Sequence, residues 1–211
     1  MASRLHLSDG KGQKAGQRVQ PPPGNGSGPA VLRNVDFIIS PPSRGRIQFH
    51  VTVDGLRMCS FEADDVHPFF GELREWMERC LSLDTKGRFH PEVVTLEMSG
   101  DVFHFFLQHR GWLPGRGDPV PYAVFSIFRS GDVTPLLRQG CDHLRTIANL
   151  YSALRRCLEE NRSLFDDPGN WYDVKYFNPE GGGSTVDRLM ADLRSPLIEK
   201  NIRFVMHFIR G

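Results

Sequence analysis

Few residues in this chain have the types and spacing that chemistry needs. Cys141-Asp142-His143 is the densest group of ligand-forming and nucleophilic side chains, His104 and His109 lie five apart, and Gly181-Gly182-Gly183 precedes Ser184-Thr185. A metal ion needs ligands that converge. On a strand His104 and His109 fall on opposite faces, and adjacent residues at a helix start diverge, with Asp142 already suited to capping that helix. No second ligand group stands at zinc-like spacing, so no metal is expected. The glycine triplet could offer backbone N–H groups to an anion at a helix start, but it lacks the lysine of a phosphate loop and follows no clear strand. GxSxG, HExxH, Walker-type and GxGxxG motifs are all missing. Catalysis would therefore need a pocket bringing together two or more of His109, Cys141, His143, Asp166 and Asp167. The expectation is no catalytic residue and no cofactor: a non-enzymatic binding protein. A structural or adaptor subunit of a larger assembly and an enzyme with an unfamiliar site are the alternatives.

The elements that would position such residues are legible from hydrophobic periodicity. Val93–Met98, Val102–His109 and Tyr122–Phe128 read as three successive strands, the first two joined by Ser99-Gly100-Asp101. The middle strand is apolar on both sides, with Phe103, Phe105 and Leu107 on one and Val102 and Phe106 on the other. It is therefore expected to be central and at least partly covered on both faces, and His104 to be a packed core residue. Upstream, Val31–Ser40 suggests a first strand stopped by Pro41-Pro42. Ile47, Phe49, Val51 and Val53 then alternate with Arg46, Gln48, His50 and Thr52, which places His50 on a wet face. Asp54-Gly55 is a type I′ turn signal leading into Leu56–Phe61.

Two amphipathic helices are expected. Phe69, Phe70, Leu73, Trp76, Met77, Cys80 and Leu81 form one stripe, with Asp64 or Asp65 as cap; Leu144, Ile147, Tyr151, Leu154 and Leu158 form the other, capped by Asp142. Beyond Asn161 the periodicity loosens, with Trp171, Tyr172, Tyr176 and Phe177 as expected anchors. Ser184 or Thr185 caps a short helix. Ser195-Pro196 opens a last segment whose residues 202–209 fit a strand as well as a helix; the Ser-Pro start favours the helix. The expected architecture is α+β: an antiparallel sheet of about six strands covered by two long amphipathic helices. Residues 1–30 read as a disordered Gly/Pro-rich tail and 31–211 as one domain, in which 31–162 hold the sheet and both helices and 163–211 a helical C-terminal extension.

Composition narrows the classes further. The chain has 211 residues, 39% of them hydrophobic, with 15 Phe, enough for an ordinary core. Its net charge of +1 conceals a basic tail. Residues 31–211 carry 22 basic and 24 acidic side chains, which is not the surface of a nucleic-acid-binding protein. No apolar run is long enough to span a membrane, and the N-terminus has no apolar secretory region. The four cysteines form no CxxC pair and read as reduced core thiols, so the expected compartment is the cytoplasm.

The segments FEADDVHPFFGELREWMERC, VVTLEMSGDVFHFFLQHRG and AVFSIFRSGDV followed by LRTIANLYSAL carry a resemblance. They resemble a family of small bacterial proteins that includes the wall-associated-toxin immunity protein and related domains. Phe69, Phe70 and Leu73 match its first helix, Leu96-Glu97 and Gly100 its next strand and turn, and Leu144, Leu150 and Leu154 its last helix. The match covers roughly residues 50–160 and departs from the family at Phe105-Phe106 and at the longer GWLPGRGDP loop. Residues 162–211 have no counterpart. The resemblance implies an immunity protein that binds and neutralises a cognate toxin. The mildly acidic folded part would suit a basic one. Trp112 and Arg116 are then the candidate partner contacts, because Trp and Arg are favoured interface anchors.

Overall fold

The computed structural model describes residues 31–63, 66–84, 87–98, 100–114, 119–170 and 184–209. The tail 1–30, the candidate caps Asp64 and Asp65, the aromatic anchors between 171 and 177, the glycine triplet and Arg116 lie outside the described residues. The order is β1 (Val35–Ile39), β2 (Ile47–Val53), β3 (Leu56–Ala63), α1 (Val66–Cys80), β4 (Glu92–Met98), β5 (Asp101–Leu113), β6 (Val120–Arg129), β7 (Leu137–Asp142), α2 (His143–Glu160), α3 (Arg162–Phe165), a 3-10 turn, α4 (Thr185–Leu193) and α5 (Pro196–Ile209). The class is α+β with antiparallel pairing, but the strands form two sheets, β1-β2-β3 and β4-β5-β6-β7, rather than one of about six. The helix count differs as well. Five α-helices are present among the described residues.

Alternation identifies strands and hairpin signals identify neighbours, but neither tells whether two hairpins join edge to edge. Here α1 intervenes between β3 and β4, and those strands come close without hydrogen-bonded pairing. The sheets are linked elsewhere: the Arg33 N–H donates to the Gly140 carbonyl at 2.9 Å, beside a parallel bridge from Arg33 to Cys141 of β7. A Cβ added at Gly140 would stand 3.0 Å from both the Val31 carbonyl oxygen and the Tyr122 ring, so any side chain here would have to push its neighbours back and the crossing favours glycine.

The inner faces of both sheets and the two long helices share one core. Phe49 on β2 meets Phe37, Phe61, Phe69 and Phe105 with ring centroids 5.6 to 6.3 Å apart. Phe37 also meets Phe125 of β6 edge-on at 5.9 Å. Each such side chain contributes about 2 kcal/mol of burial and more through ring geometry. The expected stripes face this core: Phe70, Leu73, Trp76 and Met77 from α1, and Ile147, Leu150, Tyr151 and Leu154 from α2. Val186 and Leu189 of α4 and Ile198 of α5 join the same cluster. Residues 202–209 are helical within α5.

Local readings fare unevenly. Asp54 and Gly55 both have positive φ, +50° and +82°, as a type I′ turn demands. Asp142 caps α2, accepting from the Arg145 N–H at 3.0 Å, and the Ser184 hydroxyl caps α4 by accepting from the Asp187 N–H at 3.3 Å. His50 is not solvated. It is only 5% exposed, and the cross-strand hydroxyl of Ser60 lies 2.9 Å from its Nδ1, a partner that lets the ring be buried. His104 is not core either. It pairs with Thr95 on the outer face, where the hydroxyl lies 3.0 Å from its Nδ1, and is half-buried. Both expectations took a residue's burial from its strand alone, whereas the row of cross-strand neighbours decides it. Among the described residues no helix is long and apolar enough to cross a membrane.

Candidate aromatic-histidine site

The bulge near the end of β5 creates the site. His109 lies opposite Ala123 and Trp112 opposite Pro121, and the register shifts between His109 and Gly111. Residues three apart on a regular strand point to opposite faces. The extra residue, Arg110, puts His109 and Trp112 on the same one. Gly111 takes a φ of +140° there, a backbone that side-chain-bearing residues rarely adopt.

Phe89 enters from the loop after α1. That loop is clamped by Asp84, whose carboxylate accepts from the Arg88 backbone N–H at 2.8 Å and from its guanidinium at 3.0 Å. An antiparallel bridge then pairs Leu83 with Phe89. The Phe89 ring stacks on His143 at 4.3 Å and 15°, meets His109 edge-on at 5.3 Å and lies 6.1 Å from Trp112. His109 touches Trp112 at 5.6 Å and His143 at 5.9 Å, in both cases edge to face.

His143, the first residue of α2, is fully buried. Its Nε2 lies 2.8 Å from the Cys80 carbonyl oxygen. A carbonyl only accepts, so Nε2 carries the proton and Nδ1 presents a bare lone pair. That Nδ1 and the Nδ1 of His109 are both buried without a hydrogen-bond partner. Burial drives the His143 pKa down to about 4, against the opposing pull of the Cys80 carbonyl and with a small further push from His109. His109 is lowered by burial as well. Both imidazoles are thus neutral near pH 7 and behave as aromatic rings more than as charges.

Of the five residues that might have converged on one pocket, only His109 and His143 come together. Asp166 accepts from the Ser184 hydroxyl at 2.8 Å and from the Val186 N–H at 3.2 Å, and Asp167 from the Gly169 N–H at 2.9 Å, so Asp166 braces the start of α4 and Asp167 the 3-10 turn. Cys141 is fully buried with its thiol pushed up to about 11 by that burial, which leaves no thiolate for nucleophilic attack. Among the described residues no group of three or more His, Cys, Asp or Glu is placed to hold a metal ion.

At the surface, Trp112 is 49% exposed and Leu83 54%, over the buried Phe89 and His143. Arg110 is exposed beside them. Sequence reasoning selected Trp112 but missed Phe89, Leu83 and the part played by His143. The signal available was an aromatic residue between Gly87 and Pro91, in a stretch read only as a connection. Comparison of the chain with protein-family models, curated proteins and solved structures finds no match.

Proposed function

We propose that the chain is a protein-binding module that engages a cognate protein partner through the Trp112 patch, and that it acts as an immunity protein neutralising a toxin. The observation that carries the binding reading is Trp112 itself, a half-exposed indole held on a preformed bed of Phe89 and His109. An anchor whose rotamer is already fixed loses little entropy when a partner covers it, and tryptophans in such settings dominate binding energy. Leu83 extends the apolar centre, while Arg110 and the Arg88–Asp84 pair form a charged rim, the usual anatomy of an interface. The toxin as partner rests on the immunity-family resemblance of residues 50–160 and on the 22 basic against 24 acidic side chains of residues 31–211, which favour a basic partner.

Co-expression with the product of the neighbouring gene tests this. A complex should form, and growth arrested by that product should recover. Trp112→Ala should weaken the complex about 30-fold or more, corresponding to about 2 kcal/mol, without lowering the melting temperature. No complex, or a complex indifferent to Trp112→Ala, would overturn the proposal.

A further inference from the structure

A second surface feature lies on the opposite seam, where β3 runs beside β4 and β5 without pairing. A groove of about 490 Å³ opens there, between β2 and β3 on one side and the β4–β5 hairpin on the other. That volume is in the range of small-molecule sites. Its two walls differ in chemistry. One is polar: His50, Arg57 and Ser60, with the Ser60 hydroxyl 2.9 Å from the His50 Nδ1. The other is apolar: Phe61 and Phe103, whose rings meet at 4.7 Å, and Met98, each less than a tenth exposed.

The charges in the groove do not cancel. Glu62 and Asp101 both line it, but each is already neutralised. Arg46 meets Glu62 at 2.6 Å, and Arg129 grips Asp101 with its Nη2 at 2.6 and 2.8 Å from the two carboxylate oxygens and its Nε at 3.1 Å from one of them. Arg57 is exposed and has no ion-pair partner among the described residues. Burial, with a smaller push from the Arg57 cation, holds the His50 pKa below the usual histidine value, so His50 adds no second charge at neutral pH. Among the described residues the groove therefore presents one uncompensated positive charge, one exposed hydroxyl and an apolar wall.

We propose that this groove binds a small amphipathic monoanion, with the anionic head on Arg57 and Ser60 and the apolar body on Phe61, Met98 and Phe103. An acyl or aryl carboxylate has that chemistry. A doubly charged head would bring one charge too many, and a neutral analogue would leave the guanidinium without an anion. The site is separate from the Trp112 patch and does not depend on the function proposed for it.

Octanoate and its neutral isostere octanamide, titrated against the full chain and followed by backbone amide shifts, test the proposal. Octanoate should saturate with shifts centred on Arg57, Ser60 and Phe103, and should bind at least tenfold tighter than octanamide. Arg57→Gln, an exposed substitution that leaves the core intact, should reduce that ratio to near one while the melting temperature stays unchanged. Ser60→Ala should weaken octanoate severalfold, and Trp112→Ala should leave its affinity unaltered. Equal binding of octanoate and octanamide, no saturable octanoate binding, a preference that survives Arg57→Gln, or shifts centred on Trp112 would each overturn it.

Discussion

At the scale of single residues, His143 has the sharpest physical consequence. It is buried as the neutral imidazole, its proton committed to the Cys80 carbonyl and Phe89 stacked on its face. Its pKa is about 4 in the folded chain against 6.5 for the free side chain. The unfolded chain therefore takes up a proton first as pH falls, and stability drops as pH is lowered from about 6.5 to about 4. The full depression is worth about 3 kcal/mol, a substantial share of a domain's margin. His109, facing it, and Cys80, whose carbonyl it holds, are the neighbours that would feel the added charge. Denaturant midpoints across that range should fall steadily toward acid, and the His143 imidazole resonances should show no titration above about pH 5. A midtitration near 6.5 would mean the side chain is not held as described. None of this was legible from Cys141-Asp142-His143 as a string. Asp142 as cap followed from position, but the fate of His143 depends on Cys80 and Phe89, far away in sequence.

At the scale of elements, β5 is the decisive strand, and most of it could be read directly. Its inward set of Phe103, Phe105 and Leu107 is as alternation predicts, and His104 and His109 do fall on opposite faces, opposite Phe128 and Ala123 respectively. The bulge could not be read. Strict period-2 counting sends His109 and Trp112 to opposite faces, and only the register shift brings them together. The same limit hid β7, where Arg138 and Gly140 break the apolar pattern of a six-residue edge strand. Gly111 makes the bulge testable. With φ at +140°, alanine there is strained by about 1–2 kcal/mol, although open space surrounds the position. Gly111→Ala should lower the melting temperature by a few degrees and shift the Trp112 indole N–H resonance, while leaving those of the core strands in place. If the indole signal does not move, the bulge is not what orients Trp112.

At the scale of the whole molecule, the open question from sequence was how hairpins combine. Alternation, the type I′ turn and the helix stripes were all local, and they located six of the seven strands. Whether β1–β3 extends the second sheet or faces it depends on long-range contacts that no periodicity encodes. The Phe residues answer that question, since rings from β1, β2, β3, β5, β6 and α1 meet in one cluster. A core shared in this way couples two sheets that have little backbone hydrogen bonding between them. Phe49 sits at the junction, fully buried and in ring contact with four others. Phe49→Ala should cost about 3–5 kcal/mol, the range for removing a fully buried aromatic side chain. The loss should appear in both sheets at once. Hydrogen exchange of amides in β2 and in β5 should accelerate by similar factors, and unfolding should stay a single transition whichever sheet carries the probe. Faster exchange confined to β1–β3, with β5 and β6 still protected, would show instead that the sheets are separate cooperative units and that the ring cluster joins them only weakly.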